Sequence, residues 1–248
     1  MLPELVTIPI SHYGERARWA LDLAGVDYRE IHHLQTFSWV AALRRGGKKT
    51  LPVLVTDDGT LADSSDIVKW AMTRSRTPQV AAGAEGERLE RQLADDYGVE
   101  TRRVGYEWFF RARRDMILGY NAGRAPAWEV ATVAAAFPFM KAFMSRYLDI
   151  SPASIERGKD TVQRTMDRVA SRLSDGRPFL MGDTFTTVDL TFAAMSAPGI
   201  LPPRYGVRLP ALGEIPEDAA RSVAGYREHP AGRFALRLYE ERPAPRGR

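Results

Sequence analysis

Leu5-Val6-Thr7-Ile8-Pro9-Ile10-Ser11-His12-Tyr13-Gly14-Glu15-Arg16-Ala17-Arg18-Trp19-Ala20-Leu21 decides how this chain folds, because its period changes midway. Leu5 to Ile8 is a short β-rich run that Pro9 ends, which predicts a strand. From Glu15 onward, Ala17, Ala20, Leu21 and Ala24 recur at helical spacing, and Glu15, Arg16, Arg18 and Asp22 are expected outside that apolar face. Gly25 supplies the stop. Val26 to His32 predicts a second strand, so a βαβ unit opens the chain.

Working outward, Phe37 to Arg45 predicts a helix that Gly46-Gly47 ends. Leu51-Pro52-Val53-Leu54-Val55 and Thr60-Leu61 flank Asp57-Asp58-Gly59, and an Asp-Gly pair between two β-rich runs predicts a hairpin. Asp63-Ser64-Ser65-Asp66 offers helix-capping chemistry before Ile67, Val68, Trp70 and Ala71. Arg74 to Gly86, with Pro78, Gly83 and Gly86, reads as a linker. Beyond it, helices are expected over Glu87 to Arg114, Trp128 to Leu148, Ser154 to Leu173, Val188 to Ala197 and Pro230 to Glu241.

Composition narrows the chemistry. The 248 residues contain no cysteine, which excludes a disulfide framework, a protein thiolate and any Cys-based zinc site. The four histidines make no H-E-x-x-H arrangement, and no metal site is expected. Basic and acidic residues, 35 and 31, are interspersed, as from Glu85 to Glu107, which predicts a solvated helical surface and no nucleic-acid face. The densest basic stretch, Arg237 to Arg248, reads as a frayed terminus. Apolar runs fall short of the roughly 18 residues of a membrane helix, and no signal peptide precedes Leu5, so a cytoplasmic protein without membrane contact is expected. Ala42 to Lys49 is not a phosphate-binding loop, because alanine opens it and Lys49 closes it.

Four places carry candidate chemistry. Ser11 lies where the first strand hands over to the first helix. There it either caps the helix or donates a hydrogen bond to an anion gathered by unpaired N–H groups. Leu51-Pro52 contains an X–Pro bond that is cis or trans; the cis form would turn the Leu51 backbone toward a peptide-like ligand. Asp63-Ser64 either caps the next helix or holds the charged ends of an amino-acid headgroup. Thr186-Thr187-Val188-Asp189 has the form of a capping box, with Phe185 and Leu190 at the staple positions, and its role is read as structural.

These residues also carry a resemblance. Ser11 to Leu21 resembles the opening helix of cytosolic glutathione transferases, and Leu51-Pro52-Val53-Leu54 resembles their V-P-x-L element. Leu61-Ala62-Asp63-Ser64-Ser65-Asp66-Ile67 resembles the family's L-x-E-S-x-A-I segment. Phe179-Leu180-Met181-Gly182-Asp183, with Thr186 and Asp189, resembles its F-L-x-G-D-x-x-T-x-A-D segment. The resemblance implies an α/β plus all-α protein: a thioredoxin-like glutathione-binding domain over 1–76 and an all-helical domain over 86–248.

By the same resemblance Ser11 is the catalytic residue and His12, standing where proline is more frequent, is the rival donor to sulfur; Tyr13 is expected to be packed. Leu51 pairs with the cysteinyl part of glutathione, Pro52 is the cis-proline, and Asp63 and Ser64 hold the γ-glutamyl end. Lys48 and Lys49 are candidates for the glycine carboxylate, on charge and proximity. Glutathione is implied as co-substrate, without metal or nucleotide, together with a small hydrophobic electrophile and a homodimer. The aromatic residues Tyr97, Tyr106, Trp108, Phe109 and Phe110 lend the dimer support or belong to the core. Asp63 is one methylene shorter than the common glutamate, and Asp66 replaces a small residue. Two rivals follow: a non-catalytic thiol-binding or interaction protein, and another glutathione-dependent reaction. Ser11 argues against a disulfide reductase, since serine forms no mixed disulfide.

Overall fold

A computed structural model describes residues 1–76, 83–111, 114–121 and 123–247. The first half runs β1 (Glu4–Thr7), α1 (His12–Ala24), β2 (Arg29–His32), α2 (Phe37–Arg44), β3 (Val53–Thr56), β4 (Gly59–Leu61) and α3 (Ser64–Met72), which is the expected order. Among the described residues the strands form one sheet in the order β2-β1-β3-β4. β1 pairs parallel with β2 and antiparallel with β3, and β3 pairs antiparallel with β4. Thr56 lies opposite Gly59, so the hairpin turns on Asp57-Asp58, and Gly59 begins the return strand at φ 124°. β2 is shorter than Val26 to His32.

Side-chain alternation assigns the two faces of the sheet. Leu5 and Leu54 point into the main core with Ala17, Ala20 and Leu21 of α1 and Ile67, Val68 and Ala71 of α3. Their neighbours Val6 and Val53 point the other way, onto Ala41 and Ala42 of α2. The main core does not stop at the sheet. It continues into Val162, Leu190, Phe192, Met195, Phe234 and Leu238 of the helical half, so α1 is enclosed between sheet and helices.

That enclosure overturns the expectation that Glu15, Arg16, Arg18 and Asp22 face solvent: all four are buried. A charge without water must be paired. Arg16 donates to Thr191 at 2.9 Å and Glu90 at 2.5 Å, and Arg18 donates to Glu30 at 2.8 Å, Glu15 at 3.0 Å and the Pro9 carbonyl at 2.8 Å. Burial opposes ionisation of Glu30, but the Arg18 guanidinium, His32 and the Thr7 hydroxyl hold its carboxyl below the usual range.

The helical half contains α4 (Gly83–Gln92), a π-helical turn Leu93–Tyr97, α5 (Gly98–Arg111), α6 (Arg114–Gly119), α7 (Ala127–Ala135), α8 (Phe137–Tyr147), α9 (Pro152–Leu173), α10 (Thr187–Ile200), a 3-10 turn Leu212–Glu214, α11 (Glu217–Glu228) and α12 (Pro230–Glu240). Part of the expected linker, residues 77–82, lies outside the described residues. The single helix expected over Trp128 to Leu148 is two, because Pro138 at the start of α8 has no N–H to continue the ladder. The capping box of α10 is present: Thr186 Oγ1 accepts from the Val188 N–H at 3.3 Å, and the Asp189 carboxylate accepts from the Thr186 N–H at 2.8 Å and the Leu180 N–H at 2.7 Å. Nearly every residue of α10 is buried, as its all-round apolar surface requires.

The basic tail is not frayed over its described length. Arg242 is buried and donates to Glu15 and to Asp22, the latter at 2.9 Å, and the Arg246 N–H donates to Asp22 at 2.9 Å. Gly247 then bridges Tyr28 beside β2. Two buried carboxylates on α1, Glu15 (which Arg18 also holds) and Asp22, supply the docking site; the sequence pattern places both in solvent. Among the described residues no helix is long and apolar enough to cross a membrane.

Candidate active site between sheet and helices

A cleft of about 410 Å³ opens where the start of α1 meets α5. Ser11, Lys49, Leu51 and Asp63 all line it from the sheet half. Each sits at an element boundary: Ser11 caps α1, Lys49 and Leu51 lie in the loop before β3, and Asp63 caps α3. The rival donor His12 and its neighbour Tyr13 line it too, whereas Lys48, Pro52 and Ser64 do not. Lys48 is exposed, and Pro52 is buried behind Leu51, with the Leu51–Pro52 bond cis. Ser64 is buried, its Oγ accepting from Arg16 at 3.2 Å. A second cleft of about 590 Å³ is walled mostly by charged residues of the π-helical turn and α9 and contains none of the predicted residues.

At the start of α1 three side chains have different commitments. The half-buried Ser11 Oγ accepts from the Gly14 N–H at 3.2 Å, which leaves its own O–H free to donate into the cleft. Tyr13 donates to the Ala94 carbonyl at 2.8 Å, and burial raises it to about 12. His12 is buried with Nε2 2.9 Å from the Gly98 carbonyl. Burial first and the Arg102 charge second lower it to about 3, against the opposing pull of that carbonyl. The ring is therefore neutral, and Nε2 carries the proton donated to Gly98. His12 and Tyr13 tie α1 to the π-helical turn and α5.

His12 consequently makes stability pH-dependent. The unfolded imidazole takes up a proton near 6.5, whereas the folded one does so only near 3. Between those values the unfolded chain binds more protons, so stability falls as pH drops from about 6.5 toward 3. At about pH 5 the loss from this group is about 2 kcal/mol. His12→Gln, whose amide can still donate to Gly98, should escape that part of the loss. Denaturant unfolding of both proteins at neutral pH and at about pH 5 measures the difference; equal losses would clear His12 of the effect.

The helical half contributes an apolar wall. Val99, Tyr106, Trp108 and Phe109 of α5, with Leu201 and Leu209, line the cleft. The Tyr106 hydroxyl accepts from Gln35 Nε2 at 3.1 Å, and burial raises its pKa. The aromatic residues expected at a dimer face or in the core therefore divide differently. Tyr97 is core, stacked on Phe192, and Trp108 is core too, packed with Leu201, Ile215 and Val223; Trp108 also lines the cleft, together with Tyr106 and Phe109. Gln35 and Arg102, both lining the cleft, were not singled out by any sequence signal.

The family model for the glutathione S-transferase N-terminal domain matches residues 5–79, and the model for the C-terminal domain matches residues 152–195. The chain is a member of the glutathione S-transferase family. No curated protein sequence matches it. Among solved structures it is similar to glutathione transferase F7 from Populus trichocarpa, at 14% identity over 97% of this chain and 98% of that one, with a TM-score of 0.58. A glutathione S-transferase from Methylobacillus flagellatus KT with glutathione bound shares 14% identity over 98% and 100%, with a TM-score of 0.57. One from Methylobacterium radiotolerans in complex with glutathione sulfonate shares 18% identity over 95% of each chain, with a TM-score of 0.54. At these identities the likeness is one of fold: a four-stranded thioredoxin-like layer followed by a helical domain.

Proposed function

We propose that the protein is a glutathione transferase that activates the thiol of glutathione at Ser11 for attack on a hydrophobic electrophile. The observation that carries this reading is the free Ser11 O–H at the mouth of α1, beside two neighbours whose donors are already committed to the helical half. Lys49 supplies a cation for the glycine carboxylate, the Leu51 backbone faces the cysteinyl portion, and Asp63 takes the γ-glutamyl ammonium. Ser64 contributes through its backbone at the α3 N-terminus, because its side chain is buried away from the cleft beside Arg16; Pro52 shapes the loop. The thioredoxin-like glutathione-binding domain is assigned to 1–76 and the helical domain to 86–248.

A free thiol titrates near ~8.5, and lowering it by about two units requires roughly 2.7 kcal/mol. One hydroxyl hydrogen bond to the thiolate, at ~1.5–3 kcal/mol, and a helix N-terminus, at ~0.3–1 kcal/mol, are of the required size. The thiolate then attacks an electrophile held against Tyr106, Trp108 and Phe109. By resemblance the protein acts as a cytoplasmic homodimer, and light scattering at micromolar concentration tests the assembly.

Glutathione at a hundredfold excess over its dissociation constant should stabilise the native state by about 2.7 kcal/mol, visible as a raised melting temperature. No shift at millimolar glutathione, with a shift for another low-molecular-weight thiol, would overturn the co-substrate. A shift without turnover on a panel of electrophiles would instead assign the chain to non-catalytic thiol binding.

A further inference from the structure

The arginines of α5 divide sharply. Arg103 pairs with Glu100, and Arg111 pairs with Glu107 and Asp218. Arg102 lines the cleft and has no hydrogen-bond or ion-pair partner among the described residues. Asp95, the acid nearest in sequence on that wall, makes no ion pair with it. The guanidinium bears on His12, Tyr13 and Tyr106, lowering the titration of each, so it acts where the Ser11 end of the cleft meets the aromatic end. Helical spacing places Val99 one turn before it on the same face, and Tyr106 and Phe109 one and two turns after it. The neutral His12 does not compete as a cation.

The buried arginines at this interface are all paired with carboxylates: Arg16 with Glu90, Arg18 with Glu15 and Glu30, and Arg242 with Glu15 and Asp22. In the proposed glutathione complex Lys49 and Asp63 are used on the sheet side. Arg102 is left facing the electrophile. An unpaired, half-buried guanidinium against aromatic rings is a poor wall for a purely apolar ligand, which would strip its water and offer no acceptor. It is a good wall for a carboxylate, whose two oxygens match the planar fork.

We propose that Arg102 selects acidic aromatic electrophiles, taking a carboxylate while the substrate ring lies against Tyr106, Trp108 and Phe109. This rests on the transferase reading and adds a substrate class to it. A minimal reaction is aromatic substitution on para-chloro-meta-nitrobenzoate. The thiolate lone pair forms the C–S bond, the C–Cl bond breaks, and chloride leaves with its electron pair, with no redox partner and no net proton transfer.

The test compares this acid with its neutral carboxamide in wild type, Arg102→Gln and Arg102→Lys, and measures calorimetrically the binding of the two finished glutathione conjugates. Wild type should favour the acid. Arg102→Gln should lower the acid-to-amide ratio of kcat/KM about tenfold or more, chiefly through KM, and Arg102→Lys should restore part of it. An unchanged ratio in an Arg102→Gln protein that melts like wild type overturns the assignment. Equal losses on acid and amide, with the pH profile moved upward, also overturn it, because Arg102 would then be serving the sulfur. Wild type that binds both conjugates without preference overturns the substrate class alone. Wild type that binds neither overturns the transferase reading and this one with it.

Discussion

Ser11→Ala should raise the pKa of bound glutathione by about one to two units, equivalent to about 1.4–2.7 kcal/mol, and lower turnover roughly ten- to hundredfold. The alanine removes the O–H that faces the cleft but leaves the N–H groups of the α1 N-terminus in place, so the loss is partial. Glutathione affinity should change far less, because Lys49, Leu51 and Asp63 hold the rest of the molecule in the proposed complex. The cap itself contributes about 0.5–2 kcal/mol to stability, so the comparison belongs at a temperature where both proteins are folded. His12→Ala is the informative partner variant. Its ring is buried and spent on the Gly98 carbonyl, so it should lower stability and leave the pH profile of the folded fraction in place. The measurements are the pH dependence of turnover and the ultraviolet absorbance of the bound thiolate. Full activity in Ser11→Ala with none in folded His12→Ala would move the role to His12, and indifference to both would remove the transferase mechanism.

The features legible in the sequence share a physical character: each is local. β1, α1, the hairpin and the Thr186–Asp189 box declare themselves through period, punctuation and capping within a few residues. Ser11 and Asp63 stand out in the sequence because a strand-to-helix junction leaves backbone donors unpaired, whereas Lys49 enters on charge and proximity and Leu51 on the X–Pro bond that follows it. What was hidden depends on distant partners. Helical spacing separates apolar from charged positions on α1, but it cannot tell a solvated charge from one neutralised by Arg242, 227 residues away from Glu15. The same limit hid Arg102, an ordinary arginine on an ordinary helix until the start of α1 packs in front of it. α11 was missed for a different reason: between Ala219 and Val223 it buries too little to write a clear apolar stripe.

Arg242→Leu should destabilise the protein by about 3–5 kcal/mol at neutral pH, the cost of leaving a buried charge without its partner. Arg242 lies beyond α12, is almost wholly buried, and is shared between Glu15 and Asp22 on α1. Burial works against its charge, yet the two carboxylates hold its pKa above the ordinary arginine range. The two acids would fare differently without it. Glu15 keeps Arg18 at 3.0 Å and the Gly206 N–H at 3.0 Å, whereas among the described residues Asp22 keeps only the Arg246 N–H. Burial already raises Asp22, and loss of Arg242 should raise it further. An aspartate whose folded pKa lies above its unfolded value binds more protons folded than unfolded, so the variant should regain stability as pH falls through that folded pKa. Asp22→Asn placed in the Arg242→Leu background should recover part of the loss at neutral pH, since the amide removes the unpaired charge. Chemical denaturation at two pH values, for wild type and the single and double variants, measures all three effects. A cost below about 1 kcal/mol, typical of an exposed ion pair, would mean that the tail does not clamp α1 in solution.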